Sequence, residues 1–444
     1  MFSSLDDLPY SHVLPSNSGL SPAGRLSIAG CDLRDLAAEF GTPLYVFDES
    51  GFRQQCRDFR REFEGRWGEA RVAYAAKAFL SRGLARIVAE EGLGLDVVSG
   101  GELAIARAAG FPAERIYFHG NNKLPAELTG ALAGDGIGHV VVDNFYELET
   151  LARLAGERGV VQPVLLRLSP NVDPHTHAKT TTGVLDSKFG FAIATGDAER
   201  AVVQAMATPG LDLRGLHVHL GSPIFEMEPY AEASEVVCSF AAQMGDTHNF
   251  RLSEYSPGGG FAVAYNREQR APAIAEYAET VASSLREALA RHHLPAPSLH
   301  IEPGRSLIAG SMIAVYTVGA RKEIPGVRTY VSVDGGMADN IRPAIYGSKY
   351  EAVAVDRPLA EPEETVTLAG KYCESGDILV RDAEVPRLEA GELVGLPASG
   401  AYNLAMSSNY NMALRPPVVA VKDGRARLLV RREKVEDIMA RDAI

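Results

Sequence analysis

Eight short apolar runs recur along the middle of this chain, and each of them stops at residues with useful chemistry. The runs are Val72–Lys77, Leu93–Ser99, Ile116–His119, Val140–Asn144, Val164–Ser169, Leu216–Gly221, Leu252–Gly258 and Leu299–Gly304. Short apolar runs without polar alternation are typical of strands that are buried on both faces of a sheet. Amphipathic stretches with helical spacing separate most of the runs. The pattern therefore predicts a (β/α)8 barrel of the TIM type, in which functional residues gather at the carboxyl ends of the strands.

A second domain is expected because the chain, at 444 residues, is longer than one barrel requires. From about Ser311 onward the apolar runs are short, often β-branched and separated by turn residues, as at the hairpin signal Asp423-Gly424. This pattern predicts an all-β domain, which the N-terminal segment completes. The barrel is expected to begin near Leu44–Asp48. The predicted units are the N-terminal segment 1–43, the barrel 44–311 and the C-terminal β domain 312–444.

The insertion after the fifth run, Pro170–Phe191, has the composition of a loop and contains His175 and His177. Long loops on the catalytic face of a barrel often act as lids. This segment is therefore a candidate lid.

Composition excludes several classes of function. A net charge of −13 argues against a nucleic-acid surface, although an acidic protein can still hold an anion in a locally positive site. The four cysteines lie far apart without a CxxC pair, which argues against structural zinc and a disulfide framework. The N-terminal stretch Met1–Leu20 is polar, and no apolar run reaches membrane-spanning length. A cytoplasmic location without a membrane partner is expected.

Lys77 closes a strongly apolar run. A lysine in such surroundings is costly to bury unless it is paired or used. One use is a Schiff base to an aldehyde cofactor, since desolvation lowers the pKa of the amine. The alternative is a lysine at a strand end whose ammonium reaches solvent.

Two further run ends suit an anionic, heteroaromatic ligand. The glycines Gly258, Gly259 and Gly260 follow the seventh run, where the phosphate sites of barrels typically lie. Glu302, at the end of the eighth run, requires a cationic partner, and a protonated pyridine nitrogen would serve. Arg305 offers a planar fork for a carboxylate or a phosphate. The alternatives are a flexible loop and a structural Glu–Arg pair without a ligand.

The pair His217 and His219 lies on one face of its strand. Such a pair can bind a metal, or it can present one flat ring for stacking on a heteroaromatic cofactor. We favour stacking, and predict no metal, because no clear set of further ligands converges at the other strand ends. Lys77, Glu302 and the glycines together describe pyridoxal phosphate, which needs an amine, an acidic partner for its ring nitrogen and a phosphate cradle.

The order of short motifs along the chain resembles that of a known family. These motifs are YAAKAF at 74–79, GLGLDVVSGGEL at 92–103, DSKFGF at 186–191, HVHLGS at 217–222, GGG at 258–260, EPGRS at 302–306, RPAIYG at 342–347, CESGD at 373–377 and MSSNYN at 406–411. They are similar to those of the fold-type III, alanine-racemase-like pyridoxal phosphate decarboxylases, and among them to the group that acts on diaminopimelate. The resemblance covers about Thr42 to Pro417. It implies release of CO2 from meso-2,6-diaminopimelate to give L-lysine, the last step of lysine biosynthesis.

The resemblance implies roles for individual residues. Lys77 would carry the cofactor, His219 would stack on its ring and Glu302 would keep the ring nitrogen protonated. Asp96 and Arg167 would lie near the cofactor at strand ends. The phosphate would be surrounded by Ser222, Gly258, Gly259, Gly260, Gly304, Arg305 and Tyr402, of which Arg305 and Tyr402 would also contact substrate.

The resemblance also implies a homodimer with shared active sites. Cys373 would donate a proton, and Glu374 would pair with the remote ammonium of the substrate, each in the active site of the partner subunit. Arg342 and Tyr346 would bind the remote carboxylate. A substrate without that carboxylate would leave Arg342 buried and unpaired, which is costly.

Three alternatives remain open at this point. The same scaffold can decarboxylate ornithine, arginine or carboxynorspermidine. A metal-dependent barrel hydrolase could use His217 and His219, although that reading leaves Lys77 and Glu302 unexplained. A binding relative without activity could keep the fold, against which the presence of both Lys77 and Cys373 argues.

Overall fold

The computed structural model describes residues 2–134, 136–173, 182–183 and 186–443. The chain divides into two compact units. One consists of Gln55–Ala262 and Ala271–Gly304, and the other of Met1–Gln54, Val263–Arg270 and Arg305–Ile444. We call them the barrel unit and the β unit.

The barrel unit contains eight parallel strands, numbered here in chain order. They are Ala70–Ala75, Gly94–Val97, Ile116–Phe118, His139–Val142, Gln162–Ser169, Leu211–His217, Glu254–Gly258 and Ser298–Ile301. Each strand pairs with the next, and strand 8 returns to pair with strand 1. The predicted closed (β/α)8 barrel is therefore confirmed, with one strand at each of the eight apolar runs.

A helix fills each connection between successive barrel strands. These helices are Arg82–Glu90, Gly100–Ala108, Pro125–Ala131, Phe145–Arg158, Asp197–Ala207, Glu228–His248 and Ile274–Arg291. The helix Glu49–Trp67 precedes strand 1, and the short strand Phe191–Ala192 pairs beside strand 5. Ser99 and Asn144 follow strands 2 and 4, where their side chains accept hydrogen bonds from the N–H groups of Glu102 and Glu147. These two run ends therefore serve as helix N-caps.

The β unit is built around a larger sheet. In spatial order its strands are Ile378–Val385, Glu364–Ala369, Arg328–Val333, Met312–Ile324, Leu44–Asp48, Val418–Lys422 and Arg425–Val430. Leu393–Leu396 also pairs with Met312–Ile324, and Val353–Ala354 pairs with Leu393–Leu396. A small sheet of Ser18–Leu20, Leu26–Ile28 and Cys31–Asp32 belongs to the same unit. Its helices are Leu33–Phe40, Arg305–Ile308, Arg342–Tyr346 and Val435–Met439.

The expected start of the barrel near Leu44–Asp48 is wrong. This strand lies in the β unit, antiparallel to Met312–Ile324 and parallel to Val418–Lys422. All five of its residues are buried, so locally it has the same apolar pattern as a barrel strand. Its core neighbours include Ile313, Val315 and Val419.

Ten of the 22 residues of the candidate lid Pro170–Phe191 lie outside the described residues, and His175 and His177 are among them. Its action as a lid stays a prediction. Within the described ranges, none of the helices combines the length and the apolar composition that a bilayer crossing requires.

Candidate active site

Lys77 sits in a tight turn at the carboxyl end of barrel strand 1. The turn, Ala76–Ala78, follows the strand directly, and the Tyr74 hydroxyl donates a hydrogen bond to the Phe79 carbonyl at 2.7 Å. A Cβ atom on Gly304 would lie 2.9 Å from the Cβ of Ala75, so glycine is needed for the end of strand 8 to pack against this turn. The lysine is half-buried.

Glu302 is the centre of a buried polar cluster at the end of barrel strand 8. Its carboxylate accepts hydrogen bonds from His217 Nε2 at 3.1 Å and from the Ser256 hydroxyl at 2.9 Å, and His119 Nε2 lies 3.5 Å away. Burial alone would raise the pKa of Glu302, but the imidazoles, His217 foremost, hold that pKa well below its usual range. The cluster therefore stabilises an anionic carboxylate in the barrel interior.

Several polar atoms around Glu302 are buried and make no hydrogen bond among the described residues. They are Asp96 Oδ1, His119 Nε2, Asp143 Oδ1 and His217 Nδ1. Buried polar groups are rarely left unsatisfied in native proteins. Burial raises the pKa of Asp96 and lowers the pKa of His119, both strongly. This end of the barrel thus provides hydrogen-bonding groups for a polar ligand.

Arg167, at the end of barrel strand 5, is fixed by two neighbours. Its guanidinium lies 3.6 Å from Asp143 Oδ1, and its central carbon lies 4.3 Å from the centre of the Phe189 ring. The Gly190 N–H donates to Asp143 Oδ2 at 3.1 Å, so the run 186–191 contacts the same carboxylate. Burial lowers the pKa of Arg167 from its ordinary value.

The glycine triplet joins the ends of barrel strands 6, 7 and 8. A Cβ atom on Gly258 would lie 2.7 Å from His219 Nδ1, and one on Gly259 would lie 2.2 Å from the Glu302 carbonyl oxygen. Gly258 and Gly260 have φ angles of +78° and +98°, which favour glycine. No side chain larger than hydrogen fits here, and a backbone without side chains lets its N–H groups approach an anion closely.

His219 is neutral in this arrangement. The Gly259 N–H donates to His219 Nδ1 at 3.3 Å, which requires a lone pair on that nitrogen. Burial, and after it the positive charge of Lys77, lowers the pKa of His219 well below its ordinary value. Ser222 follows three residues later and is half-buried. A neutral, half-buried imidazole suits stacking on an aromatic ring.

A metal offers a second reading of the same cluster. His119, His217 and Glu302 each place one possible ligand atom within 4.8 Å of the others. The metal alternative drawn from the sequence used His217 and His219 instead, and His219 is not part of this group. Sequence reasoning also gave no role to His119, whose only signal is its position at the end of the third apolar run.

The other predicted site residues belong to the β unit: Arg305, Arg342, Tyr346, Cys373, Glu374 and Tyr402. Two of their guanidinium groups meet at Tyr265. Arg305 donates to the Tyr265 hydroxyl at 2.6 Å, and the central carbon of the Arg342 guanidinium lies 4.3 Å from the centre of the Tyr265 ring. Arg342 also donates to the hydroxyl of Tyr350.

These aromatic neighbours hold the Arg342 guanidinium in place without neutralising its charge, which suits the binding of an anion. Arg342 is buried, and its partners in the described part of the chain are aromatic side chains, with no ion pair to a carboxylate. Burial alone would raise the pKa of Tyr265, but Arg305 and Arg342 lower it. The Arg305 guanidinium lies 4.7 Å from the centre of the Tyr402 ring. Tyr265 and Tyr350 have no local sequence signal, and sequence reasoning missed both.

Cys373 and Glu374 are exposed on a loop of the β unit, and Tyr346 is half-buried at the end of the helix Arg342–Tyr346. Cys31, Cys56 and Cys238 are buried. Cys373 is therefore the exposed thiol among the four.

Comparison with known proteins agrees with this chemistry. The pyridoxal-binding domain of the pyridoxal-dependent decarboxylases matches residues 49–309 of this chain. This match defines the class of protein to which the barrel and its polar cluster belong.

The similarity to particular decarboxylases extends over nearly the whole chain. A diaminopimelate decarboxylase of Bacillus subtilis is 46% identical over 94% of this chain and 95% of its own. One of Mycobacterium tuberculosis is 44% identical over 97% of each chain. The crystal structure of diaminopimelate decarboxylase from M. jannaschii with L-lysine aligns with a TM-score of 0.90 at 32% identity, covering 97% of this chain and 98% of that one. This chain belongs to the diaminopimelate decarboxylase family.

Proposed function

We propose that this protein decarboxylates meso-2,6-diaminopimelate to L-lysine and CO2 with pyridoxal phosphate as its cofactor. The observation that carries the proposal is the 46% identity over 94% of the chain to a diaminopimelate decarboxylase. A structural neighbour of the same name holds L-lysine, which is the product of this reaction. Such agreement over both units of the chain favours diaminopimelate over ornithine, arginine and carboxynorspermidine.

The residues of the barrel unit suit the cofactor. The unsatisfied atoms of Asp96 and His119 offer polar partners, and the glycine triplet forms a cradle that any Cβ would fill. When bound, pyridoxal phosphate supplies an aldehyde that captures amines and a ring that accepts an electron pair. Lys77 would hold it covalently, and His219 would lie against its ring. Within this unit, its phosphate would be held by Ser222, Gly258, Gly259, Gly260 and Gly304.

Glu302 performs the main electrostatic task in this proposal. His217 and Ser256 donate to its carboxylate and orient it before substrate binds. The anionic carboxylate would hold a proton on the ring nitrogen of the cofactor. Groups arranged in advance in a buried site stabilise developing charge without reorganisation during the reaction. Asp96 and Arg167 complete the polar lining at this end of the barrel.

The residues of the β unit suit a substrate with a second amino-acid end. Arg342 and Tyr346 would bind the remote carboxylate, with Arg305 and Tyr402 contacting substrate as well. Cys373 of the partner subunit would return a proton to the carbon that has lost CO2, and Glu374 of the partner subunit would pair with the remote ammonium. The protein would then act as a homodimer. The cytoplasmic location expected from the sequence stays a prediction.

The direct test is the release of lysine and CO2 from meso-diaminopimelate by the purified protein with added pyridoxal phosphate. L-ornithine and L-arginine serve as control substrates, and Arg342→Gln as the variant that removes the proposed carboxylate contact. We expect one lysine for each CO2 from diaminopimelate and no reaction with the controls. A yellow, borohydride-reducible protein that ignores diaminopimelate would retain the cofactor site and refute the substrate assignment.

The metal reading predicts a different result in the same preparation. A colourless protein whose activity is lost on chelation would support metal binding at His119, His217 and Glu302. We expect activity to be unaffected by chelators and to require pyridoxal phosphate.

A further inference from the structure

A turn formed by residues 408–413 holds the backbone of Cys373 on both sides. The Cys373 N–H donates to Asn411 Oδ1 at 3.0 Å, and the Tyr410 hydroxyl donates to the Cys373 carbonyl at 3.2 Å. The Tyr410 and Tyr372 rings meet edge to face, with centres 6.3 Å apart. Both backbone polar groups of Cys373 are therefore engaged by neighbouring side chains, while Cys373 itself is exposed. We call the two hydrogen bonds that Asn411 and Tyr410 make to the Cys373 backbone the clamp.

The turn is itself well anchored. Asn409 Nδ2 donates to the Ala413 carbonyl at 2.8 Å and to Glu433 Oε2 at 2.6 Å. Asn411 and Met412 adopt φ angles of +51° and +57°. Left-handed backbone is costly for residues other than glycine, and asparagine tolerates it better than most. The strained turn is thus held in a conformation that directs the Asn411 amide toward Cys373.

Asp377 fixes the same loop from inside the β unit. Its buried carboxylate accepts the N–H of Tyr372 at 2.8 Å and the N–H of Met337 at 2.6 Å. A Cβ atom on Gly370 would lie 2.1 Å from this carboxylate, so glycine is required beside it. The loop that carries Cys373 is therefore constrained on its inner side by Asp377 and on its outer side by Tyr410 and Asn411.

We propose that Asn411 and Tyr410 are positioning residues for Cys373, which fix the peptide from which the thiol projects. The inference rests on the proposed function, in which the Sγ–H bond of Cys373 breaks and its proton goes to the carbon that has lost CO2. The electron pair left by the departing carboxylate forms the new C–H bond, and the thiolate regains a proton from solvent. Because this transfer depends on the direction of the thiol, a looser peptide slows it without weakening substrate binding.

The chain offers substitutions that separate the hydrogen bond from the backbone strain. Asn411→Gly removes the acceptor and keeps the left-handed backbone accessible, whereas Asn411→Asp keeps an acceptor of the same shape. Tyr410→Phe removes only the hydroxyl. Asn249→Gly is the matched control, because Asn249 is also left-handed, with φ of +60°, at the end of the helix Glu228–His248.

Two measurements on the full-length protein with its cofactor test the proposal. The rate of amide hydrogen exchange at Cys373 measures how firmly the clamp holds the Cys373 N–H. Steady-state kinetics with diaminopimelate measure whether the clamp contributes to turnover. For Asn411→Gly we expect exchange at Cys373 to be faster by about tenfold and kcat to fall by about tenfold, with KM within about twofold of the wild-type value. Asn411→Asp should restore slow exchange, Tyr410→Phe should give a smaller change of the same sign, and Asn249→Gly should match the wild type.

The outcomes distinguish this inference from the proposed function. Unchanged exchange at Cys373 in Asn411→Gly would show that the clamp does not hold the loop. Faster exchange with wild-type kcat would show that the clamp has no catalytic role. A lower thermal stability together with a raised KM, without recovery in Asn411→Asp, would mean that Asn411 is only structural. A wild type that releases no CO2 from diaminopimelate would refute the proposed function and this role of Cys373 with it.

Discussion

Replacing Glu302 by glutamine isolates the charge of the buried carboxylate from its packing. Glutamine has the same shape, so its oxygen can accept the hydrogen bond from His217 and its amide can donate to the Ser256 hydroxyl oxygen. The Gly258 N–H already donates to the same oxygen at 3.1 Å, and a serine hydroxyl oxygen has two lone pairs. The substitution therefore removes one negative charge and little else.

The size of the effect can be set by Coulomb's law. A cationic group that donates a hydrogen bond to the Glu302 carboxylate would place its charge about 4 Å from that of the carboxylate. At an effective dielectric constant of about 20, a charge pair at that distance is worth about 4 kcal/mol. If this stabilisation is needed only in the transition state, kcat falls by about three powers of ten.

The assay compares cofactor retention with turnover. Visible absorbance and borohydride trapping at Lys77 measure how much cofactor Glu302→Gln holds, and CO2 release from diaminopimelate measures turnover. Ser256→Ala is the control, since it removes one neutral donor to the carboxylate and is expected to cost about tenfold in kcat. A Glu302→Gln protein that is saturated with cofactor and turns over within about tenfold of the wild type would refute the electrostatic argument.

Further predictions concern stability and cofactor binding. Burial raises the pKa of Asp339 to about 7, so the folded protein loses stability as pH rises from about 4 through 7. Asp339→Asn should reduce the difference between the unfolding free energies measured by urea titration at pH 5 and pH 8. Lys123→Met leaves Glu147 buried without its partner at 2.7 Å and should cost about 3–5 kcal/mol in unfolding free energy, with no change expected if the pair were solvated. Gly258→Ala places a Cβ 2.7 Å from His219 Nδ1 and should weaken cofactor binding by at least about tenfold in absorbance titrations. Wild-type affinity would show that the neighbouring groups shift to accommodate the methyl group.

The barrel strands could be predicted because burial on both faces leaves a local mark in the sequence. An apolar run predicts a buried strand, but it does not show which strands pair with it, as Leu44–Asp48 illustrates. Its five buried residues resemble a barrel strand, but the strand pairs with Met312–Ile324, more than 260 residues further along the chain. Only the hydrogen-bonding pattern of the whole sheet decides between the two assignments.

The site residues divide in the same way. Lys77, His219 and Glu302 could be found because each stands where a predicted strand ends. Tyr265 and Tyr350 could not, since neither follows a recognisable strand and their relation to Arg342 depends on contacts across the β unit. Contacts between distant parts of the chain leave no periodic pattern to read.

A second carboxylate in the barrel shows why burial alone was weak evidence for a ligand at Glu302. Glu254, two residues before Ser256 on strand 7, is also buried, and its Oε2 lies 3.0 Å from His139 Nε2 and 3.2 Å from His300 Nε2. Both carboxylates are thus flanked by imidazoles that offset the cost of burial. The two sites differ in depth along the strands: Glu302 follows the end of strand 8, whereas Glu254 begins strand 7. Since barrel enzymes bind ligands at the carboxyl ends of their strands, that position, rather than the need for a cationic partner, is what singles out Glu302.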